Sequence, residues 1–253
     1  MALPITLAAG VLIGLLLGML GAGGSIIAIP ALTLGAGLPL REAITTALVV
    51  VLAASLTAAL PRLRSGVQWS TALMMTLIGV PFTMLGTTLS HRLDETILVF
   101  GLVGIMLSAA VVLLKKPAPK IGSRARSIHR SLRYLRIVAA GAVVGTLTGL
   151  FGVGGGFLIV PILTLFLGLP MQLAVGTSLV VIFINSTTGL AAQLTTVSLD
   201  WVITAAFAIT TMTTAKIASK YGMLLSEHAL RRSFCSLIVI VSATMLVTTL
   251  RAG

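Results

Sequence analysis

The stretch GLLLGMLGAGGSIIAIP, residues 14–30, interrupts an apolar segment with a cluster of glycines. A second stretch, GTLTGLFGVGGGFLIVP at residues 145–161, repeats it 131 positions later. The repeat pairs Gly10, Gly14, Gly18, Gly21, Gly23, Gly24 and Pro30 with Gly141, Gly145, Gly149, Gly152, Gly154, Gly155 and Pro161. Around Trp69 and Trp201 the offset becomes 132. The chain is therefore an internal duplication.

The composition is that of a membrane protein. Apolar residues make up 57% of the chain and charged residues 9%, with a mean hydropathy of +1.15. So little polar material cannot cover a water-soluble domain. Eight of the seventeen Lys and Arg residues lie between Lys115 and Arg136. This clustering, within a net charge of +12, indicates a cytoplasmic loop and not a nucleic-acid-binding surface.

The sequence contains few residues that could support catalysis or bind a metal. Cys235 is the only cysteine, which excludes an internal disulfide and a thiolate metal cluster. Enzyme motifs such as HExxH and GxSxG do not occur. All five carboxylates fall at predicted segment ends: Glu42, Asp94, Glu95, Asp200 and Glu227. We therefore expect no catalytic residue, no metal site and no cofactor.

Eight apolar stretches of membrane length follow one another along the chain. They cover about residues 5–36, 43–61, 69–89, 96–114, 137–167, 172–194, 201–219 and 233–250. Six fit the roughly 20 residues that one bilayer crossing needs. The two Gly-rich stretches run to about 30 residues, and a straight helix of that length would reach about 45 Å, beyond a hydrocarbon core of about 30 Å. We predict an all-α polytopic membrane protein in which the glycines break these two helices.

Two topologies follow from the duplication. The halves are a first membrane repeat at residues 1–114 and a second at 137–253, joined by a basic loop at 115–136. If each broken segment crosses once, the basic residues other than Lys216 divide eleven inside against five outside. If each is a re-entrant hairpin, each half has three full crossings, the halves are inverted, and the division is thirteen against three. The second topology fits the positive-inside rule better, and we favour it.

Broken helices at corresponding positions of two halves indicate a transporter whose binding site lies near the middle of the membrane. The amides that open the half-helix after each break lack intrahelical partners and lie at the positive end of the helix dipole, so they attract anions. Glycine leaves these amides accessible because it has no Cβ. With nearby polar side chains they form the predicted substrate-binding set: Gly21, Gly23, Gly24, Ser25, Thr46, Gly152, Gly154, Gly155, Gly156, Thr177, Asn185 and Ser186.

Structural roles compete with the binding role at several positions. Glycines at four-residue spacing form a stripe that suits close helix packing, and we assign that role to six of them: Gly10, Gly14, Gly18, Gly141, Gly145 and Gly149. Hydroxyl groups inside membranes commonly bond back to their own helix. Asn185 suits an oxyanion or a second helix equally well. Lys216 either faces an anion path or extends to the membrane interface.

The paired glycine segments with Pro30 and Pro161, the Leu-Pro turns at 38 and 169, and the basic central loop resemble the TauE/SafE family, often called sulfite exporters. The most specific parts are GMLGAGGSIIAIPAL at 18–32 and GLFGVGGGFLIVPIL at 149–163. The resemblance spans essentially the whole chain. It implies a bacterial inner-membrane transporter of sulfite or related sulfur-containing or organic anions.

One stretch departs from this resemblance. Residues 211–222 read TMTTAKIASKYG, where such proteins usually carry a Gly-rich stretch, and here only Gly222 remains. The departure leaves open how the seventh apolar segment is used, and with it any role for Lys216.

The sequence thus predicts a multi-pass transporter of small anions. The expected partners are the anionic substrate and the lipid bilayer, without nucleic acid, and a homo-oligomer is left open. Two alternatives remain: a non-transporting membrane subunit, in which the glycines serve packing alone, and an intramembrane enzyme, for which the chain has no catalytic constellation. Which anion is carried, in which direction and at the expense of which energy source are not decided by the sequence.

Overall fold

The computed structural model describes residues 2–22, 24–63, 66–90, 95–115, 130–151, 156–193 and 200–252. These residues form helices and contain no strand, as predicted for an all-α protein. The α-helices are α1 (Ala2–Leu20), α2 (Gly24–Pro30), α3 (Leu40–Ala59), α4 (Trp69–Ser90), α5 (Glu95–Lys115), α6 (Arg130–Phe151), α7 (Gly156–Leu165), α8 (Met171–Gln193), α9 (Trp201–Leu224) and α10 (Glu227–Ala252). A π-helical turn, Ala31–Gly35, extends α2, and a 3₁₀ turn, Leu60–Arg62, extends α3.

Membrane-crossing length is reached by five helices of the described part of the chain. Their candidate spans are Arg41–Arg62, Trp69–Leu89, Met171–Ala191, Trp201–Leu224 and Glu227–Val247. Shorter apolar stretches lie in α1, α5 and α7. The helices correspond to the eight predicted apolar segments, but α6 starts at Arg130 and α10 at Glu227, earlier than predicted. Polar and basic residues continue these two helices beyond their apolar stretches.

The first long segment is broken where the glycines predict. Helix α1 ends at Leu20, and Gly21 follows with φ of 64°. The amide of Gly21 donates to the carbonyl oxygen of Leu17 at 2.9 Å. A glycine in this left-handed conformation is a common way to end a helix, because a Cβ would be strained there. Helix α2 then begins at Gly24.

After the break, α2 turns back along α1. A Cβ placed on Gly24 would lie 2.6 Å from Leu17 Cδ1 and 3.7 Å from Ile13 Cγ2, so α2 starts beside the second half of α1. Further along the chain, Ala28 and Leu32 belong to the same buried apolar cluster as Ile13. The first broken segment is therefore a hairpin and not one long helix with a kink.

The chain forms two compact units, and each takes elements from both sequence repeats. The first unit comprises Met1–Ala72 and Val175–Leu224, and the second comprises Leu73–Ala174 and Leu225–Gly253. The boundaries 1–114, 115–136 and 137–253 describe the duplication in the sequence, and they stay a prediction.

Within the first unit, α3 and α9 run in the same direction. Near their beginnings, the hydroxyl oxygens of Thr46 and Thr204 are 3.5 Å apart. At the other end, the Nε of Arg62 donates to the hydroxyl of Ser219 at 3.1 Å. Helix α8, the repeat equivalent of α3, runs the opposite way: Gly189 near its end lies beside Leu48 near the beginning of α3. Antiparallel equivalents are what an inverted duplication requires.

Helix α1 also runs parallel to α9, and the glycine stripe of α1 packs against α9. Gly10, Gly14 and Gly18 approach Phe207, Thr211 and Ala215 in that order. Since α1 is parallel to α9, and α9 to α3, the break returns the chain to the end of the unit where α1 began. This is the backbone path of the predicted hairpin.

The second unit repeats this contact between α6 and α4. Gly141, Gly145 and Gly149 approach Met75, Gly79 and Thr83. The two sets of glycines differ by 131 positions and their two sets of partners by 132, the offsets found in the sequence. A Cβ on Gly18 would collide with the carbonyl of Ala215, and one on Gly149 with that of Thr83. The close-packing role predicted for the six glycines is confirmed.

The remaining helices of the second unit pack around this pair. Helix α10 lies antiparallel to α5, because Cys235 Sγ contacts the carbonyl of Ala110 at 3.6 Å and the Ser242 hydroxyl contacts Met106 Sδ at 3.9 Å. Helix α7 contacts α5 and α6. The nine residues from Gly156 to Thr164 are all buried, and none of them is charged.

The Leu-Pro turns are also repeated in three dimensions. Gly37 has φ of 70° and Gly168 has φ of 65°. The amide of Leu38 donates to the carbonyl of Leu32, and that of Leu169 to Leu163, both at 3.1 Å. The same turn thus leads from each broken segment into the next long helix.

Candidate functional site

The residue at the first break is held by α8. The hydroxyl of Ser178 donates to the carbonyl oxygens of Gly21 and Val175, both at 2.8 Å. Gly21 is buried, and a Cβ on it would lie 2.6 Å from Ser178 Oγ and 2.8 Å from the Val175 carbonyl oxygen. The site therefore requires glycine at position 21 for its backbone conformation and for space.

The start of α2 lies at the middle of a neighbouring span. A Cβ on Gly24 would meet Val51 Cγ2 at 3.0 Å. Val51 is buried and stands at the centre of the candidate span Arg41–Arg62. The opening amides of α2 lack intrahelical partners. They thus lie beside the middle of α3, far from both ends of that helix.

The second break presents a longer half-helix. Helix α7 begins at Gly156 and has ten residues, against seven in α2. Gly156 itself is buried. Its opening amides carry the positive end of the α7 dipole into an apolar environment, where the attraction for an anion is screened little by water.

The two equivalent threonines of the predicted set, Thr46 and Thr177, are fully buried and both face other segments of the first unit. Thr46 meets Thr204. The hydroxyl of Thr177 accepts from the amide of Gln68 at 3.0 Å, just before α4 begins. Both hydroxyls therefore join helices, whatever they do for a substrate.

The two other polar residues of the predicted set lie further along α8. Ser186 is buried, with 5% of its surface exposed, and Asn185 is half-buried. The carbonyl of Asn185 accepts from the hydroxyl of Thr188. Neither the oxyanion role nor the helix-joining role of the Asn185 carboxamide is decided by this arrangement.

Six residues of the predicted set belong to the first unit: Gly21, Gly24, Thr46, Thr177, Asn185 and Ser186. Gly156 belongs to the second unit. Ser25 is described by its position in α2 alone, and four predicted residues lie outside the described part of the chain: Gly23, Gly152, Gly154 and Gly155. The predicted set as a whole stays a prediction.

Three of the carboxylates that the sequence places at segment ends lie at helix beginnings: Glu42, Asp200 and Glu227. Asp200 Oδ1 accepts from the amides of Val202 and Ile203 at 2.9 and 3.2 Å and so caps α9. Glu42 Oε1 accepts from the amide of Asp200 at 2.9 Å, while Glu227 Oε1 accepts from the amide that opens α8 at 3.2 Å. These negative charges complement the positive ends of helix dipoles.

The stretch 211–222 that departs from the family pattern forms the packing surface for α1. Thr211, Ala215 and Ala218 are buried there, and their small side chains let the glycine stripe approach. Lys216 and Lys220 are exposed on the opposite side of α9. Both roles considered for Lys216 stay open, while the use of α9 is clear: it is the partner of α1.

A groove of about 450 Å³ lies within the second unit, between α5, α6 and α7. Its lining is almost wholly apolar, with Leu147, Leu158 and Ile162 as typical members. Such a surface does not offer the hydrogen bonds that a small anion needs. Among the described residues, no group of three His, Cys, Asp or Glu side chains is placed to bind a metal.

Two residues that lie against the first break are missing from the predicted set. Ser178 is the neighbour of Thr177, which the predicted set contains. Arg62 was counted only as a basic residue at a segment end, yet 1% of its surface is exposed. The position of Arg62 at the end of an apolar stretch is the one feature of the sequence that could have indicated its burial.

Residues 6–245 match the family model described as sulfite exporter TauE/SafE, nearly the whole chain. The chain belongs to this family. The resemblance seen in the glycine segments is confirmed.

Relatives of this TauE/SafE chain come from bacteria and an archaeon. A probable membrane transporter protein of Xylella fastidiosa (strain 9a5c) is 32% identical, with 95% of this chain and 93% of the relative covered. The probable membrane transporter protein YunE of Bacillus subtilis is 28% identical, covering 79% of this chain and 81% of the relative. A relative from Methanocaldococcus jannaschii is 26% identical over 96% and 95%. The TauE/SafE chain is a multi-pass membrane transporter and not an enzyme.

Proposed function

We propose that this transporter carries small anions, with sulfite or another sulfur-containing or organic anion as the substrate. The observation that carries the proposal is the position of Gly24: the opening of α2 lies beside Val51, at the centre of a membrane span. An anion held there meets backbone amides at the depth where water is least available. The description of the family as sulfite exporters supports the same substrate class.

The energetics suit passage better than tight capture. Moving an anion out of water costs at least several kcal/mol. One helix dipole returns only about 0.3 to 2 kcal/mol. Hydrogen bonds from amides to a charged group contribute about 1.5 to 3 kcal/mol each. Several such bonds would roughly offset the desolvation, which leaves the anion able to leave again.

The proposed topology is inverted. The parallel course of α1 and α3 and the antiparallel course of α3 and α8 support a hairpin at the first break and halves of opposite orientation. With the basic loop 115–136 in the cytoplasm of a bacterial inner membrane, both termini then lie outside. The predicted binding set and the oligomeric state are carried into this proposal unchanged.

An efflux panel tests the substrate. Proteoliposomes that contain the purified protein are loaded in turn with sulfite, sulfate, thiosulfate and a sulfonate, and the efflux of each anion is measured. Protein-free liposomes give the background. We expect saturable, protein-dependent flux of sulfite or thiosulfate. If a well-folded preparation carries none of these anions above background, the proposed substrate class is wrong.

A further inference from the structure

Arg62 is a buried cation at the end of a membrane span. It closes the 3₁₀ turn Leu60–Arg62 after α3, and 1% of its surface is exposed. An ionisable side chain buried within membrane-spanning helices is rare and usually functional. The role of Arg62 must therefore be sought in what it contacts.

The guanidinium of Arg62 joins three helices of the first unit. Its Nε donates to the hydroxyl of Ser219 on α9 at 3.1 Å. Its Nη2 donates to two carbonyl oxygens, Gly18 of α1 and Ser219 of α9, at 3.4 Å each. The Ser219 hydroxyl in turn donates to the carbonyl of Ala58 in α3 at 2.6 Å. Both sides of the serine hydroxyl are thus engaged.

Two glycines leave the space for this arrangement. A Cβ on Gly222 would lie 2.9 Å from Arg62 Nη2, so a larger residue would press on the guanidinium. A Cβ on Gly18 would collide with the carbonyl of Ala215, so only glycine lets α1 come close enough to α9. The Gly222 that remains of the family's Gly-rich stretch lies at this position.

The Gly18 carbonyl is one of those that the break leaves without an intrahelical partner. Helix α1 ends at Leu20, and the left-handed Gly21 follows. The hydrogen bond from the Gly21 amide to the Leu17 carbonyl oxygen closes the last turn of the helix. The next carbonyl, that of Gly18, lies in the last turn and carries part of the negative end of the α1 dipole. Arg62 supplies both the donor and the positive charge that this end favours.

The second repeat lacks this cation. With an offset of 131 or 132, Arg62 corresponds to Gln193 or Leu194, and both are neutral. The repeat therefore does not supply an arginine at the corresponding position of the second half.

We infer that Arg62 is a positioning residue for the transport site: it fixes the end of α1, and so the first glycine break, against α3 and α9. The inference rests on the proposed function of that break. Arg62 acts through the Gly18 carbonyl and does not itself bind the anion.

The test combines hydrogen exchange with flux for Arg62→Gln in lipid nanodiscs and proteoliposomes. We expect amides of residues 15–22 to exchange faster, and the half-saturating anion concentration to rise at least about tenfold, because the binding amides lose their alignment. Arg62→Lys keeps the charge but carries its donors on a single nitrogen, and should restore part of both effects. The control, Arg41→Gln, removes an exposed charge at the other end of the same span and should change neither.

The outcomes separate this inference from the proposed function. Unchanged exchange in Arg62→Gln overturns the inference, whatever is transported. Faster exchange with unchanged half-saturation shows a purely structural role and also overturns it. If the wild-type protein carries none of the tested anions, the proposed function fails, while exchange still decides whether Arg62 holds α1. Should Arg62→Gln not fold, Ser219→Ala removes the hydroxyl that Nε contacts, and exchange at 15–22 must rise there too.

Discussion

The hydroxyl of Ser178 donates to the carbonyl oxygen of Gly21 at 2.8 Å, so the residue that ends the first broken helix is held by a helix of the other repeat. This bond joins positions 157 residues apart in the sequence. It places a side chain of the second half at the break of the first half.

Replacing this serine should loosen the break. In Ser178→Ala, the Gly21 carbonyl loses its donor in a buried position, and we expect the free energy of unfolding to fall by about 0.6 to 1.7 kcal/mol, the range for such bonds in membranes. Ser108→Ala is the matched control, because the Ser108 hydroxyl bonds to its own helix and is exposed. Equal stabilities of the two variants in a mild detergent would show that the bond contributes nothing.

The threonine bond at the start of α4 gives a second stability test. In Thr177→Val, the amide of Gln68 loses its acceptor at 3.0 Å, and leaving a donor unpaired in a buried place costs about 1 to 3 kcal/mol. Thr187→Val on the same helix removes an exposed hydroxyl that bonds to the Phe183 carbonyl. We expect Thr177→Val to melt several degrees below Thr187→Val. The reverse order would contradict the hydrogen bond described.

Glycine packing should be equally sensitive in both repeats. Gly18→Ala and Gly149→Ala each drive a Cβ into a backbone carbonyl of the neighbouring helix, and overpacking of this kind costs about 1 to 3 kcal/mol. Gly104→Ala meets nothing within 4 Å and serves as the control. Thermal unfolding of the three variants should lower the transition for the first two alone. A tolerated alanine at either position would argue against the repeated contact.

The inverted topology predicts where the C-terminus lies. In a Cys235→Ala background, Ala252→Cys should react with a membrane-impermeant maleimide applied to intact cells, because the C-terminus lies outside. Ser123→Cys in the basic loop should react only after the cells are opened. Protection of residue 252 in intact cells would place the C-terminus inside and exclude the topology.

The sequence predicted the features that depend on spacing. The break after Leu20, the glycine stripe and the carboxylates at segment ends follow from local chemistry: left-handed glycine ends helices, small residues permit close approach, and carboxylates suit the positive ends of dipoles. Each could be read from a short stretch without knowledge of its neighbours.

Features that depend on partners could not be predicted in this way. That Gly14 would pack on α9 and Gly145 on α4, each a helix of the other repeat, depends on how the helices assemble. The sequence shows Arg62 only as a basic residue at the end of an apolar stretch, and its burial is shown by its contacts with Gly18 and Ser219.

The central claim is that the opening amides of α2 bind the anion, and Gly24→Ala tests it most directly. The added Cβ would meet Leu17 Cδ1, the end of a flexible side chain that can move, and Val51 Cγ2 at 3.0 Å, so a small shift of α2 accommodates it and the protein should still fold. Thermal unfolding must remain close to that of wild type, and Gly104→Ala controls for the substitution itself. We predict that Gly24→Ala lowers proteoliposome flux of the best anion in the panel at least about tenfold, because the Cβ pushes the start of α2 away from α1 and α3 and so displaces the amides that bind the anion. Undiminished flux from a folded Gly24→Ala protein would contradict the account.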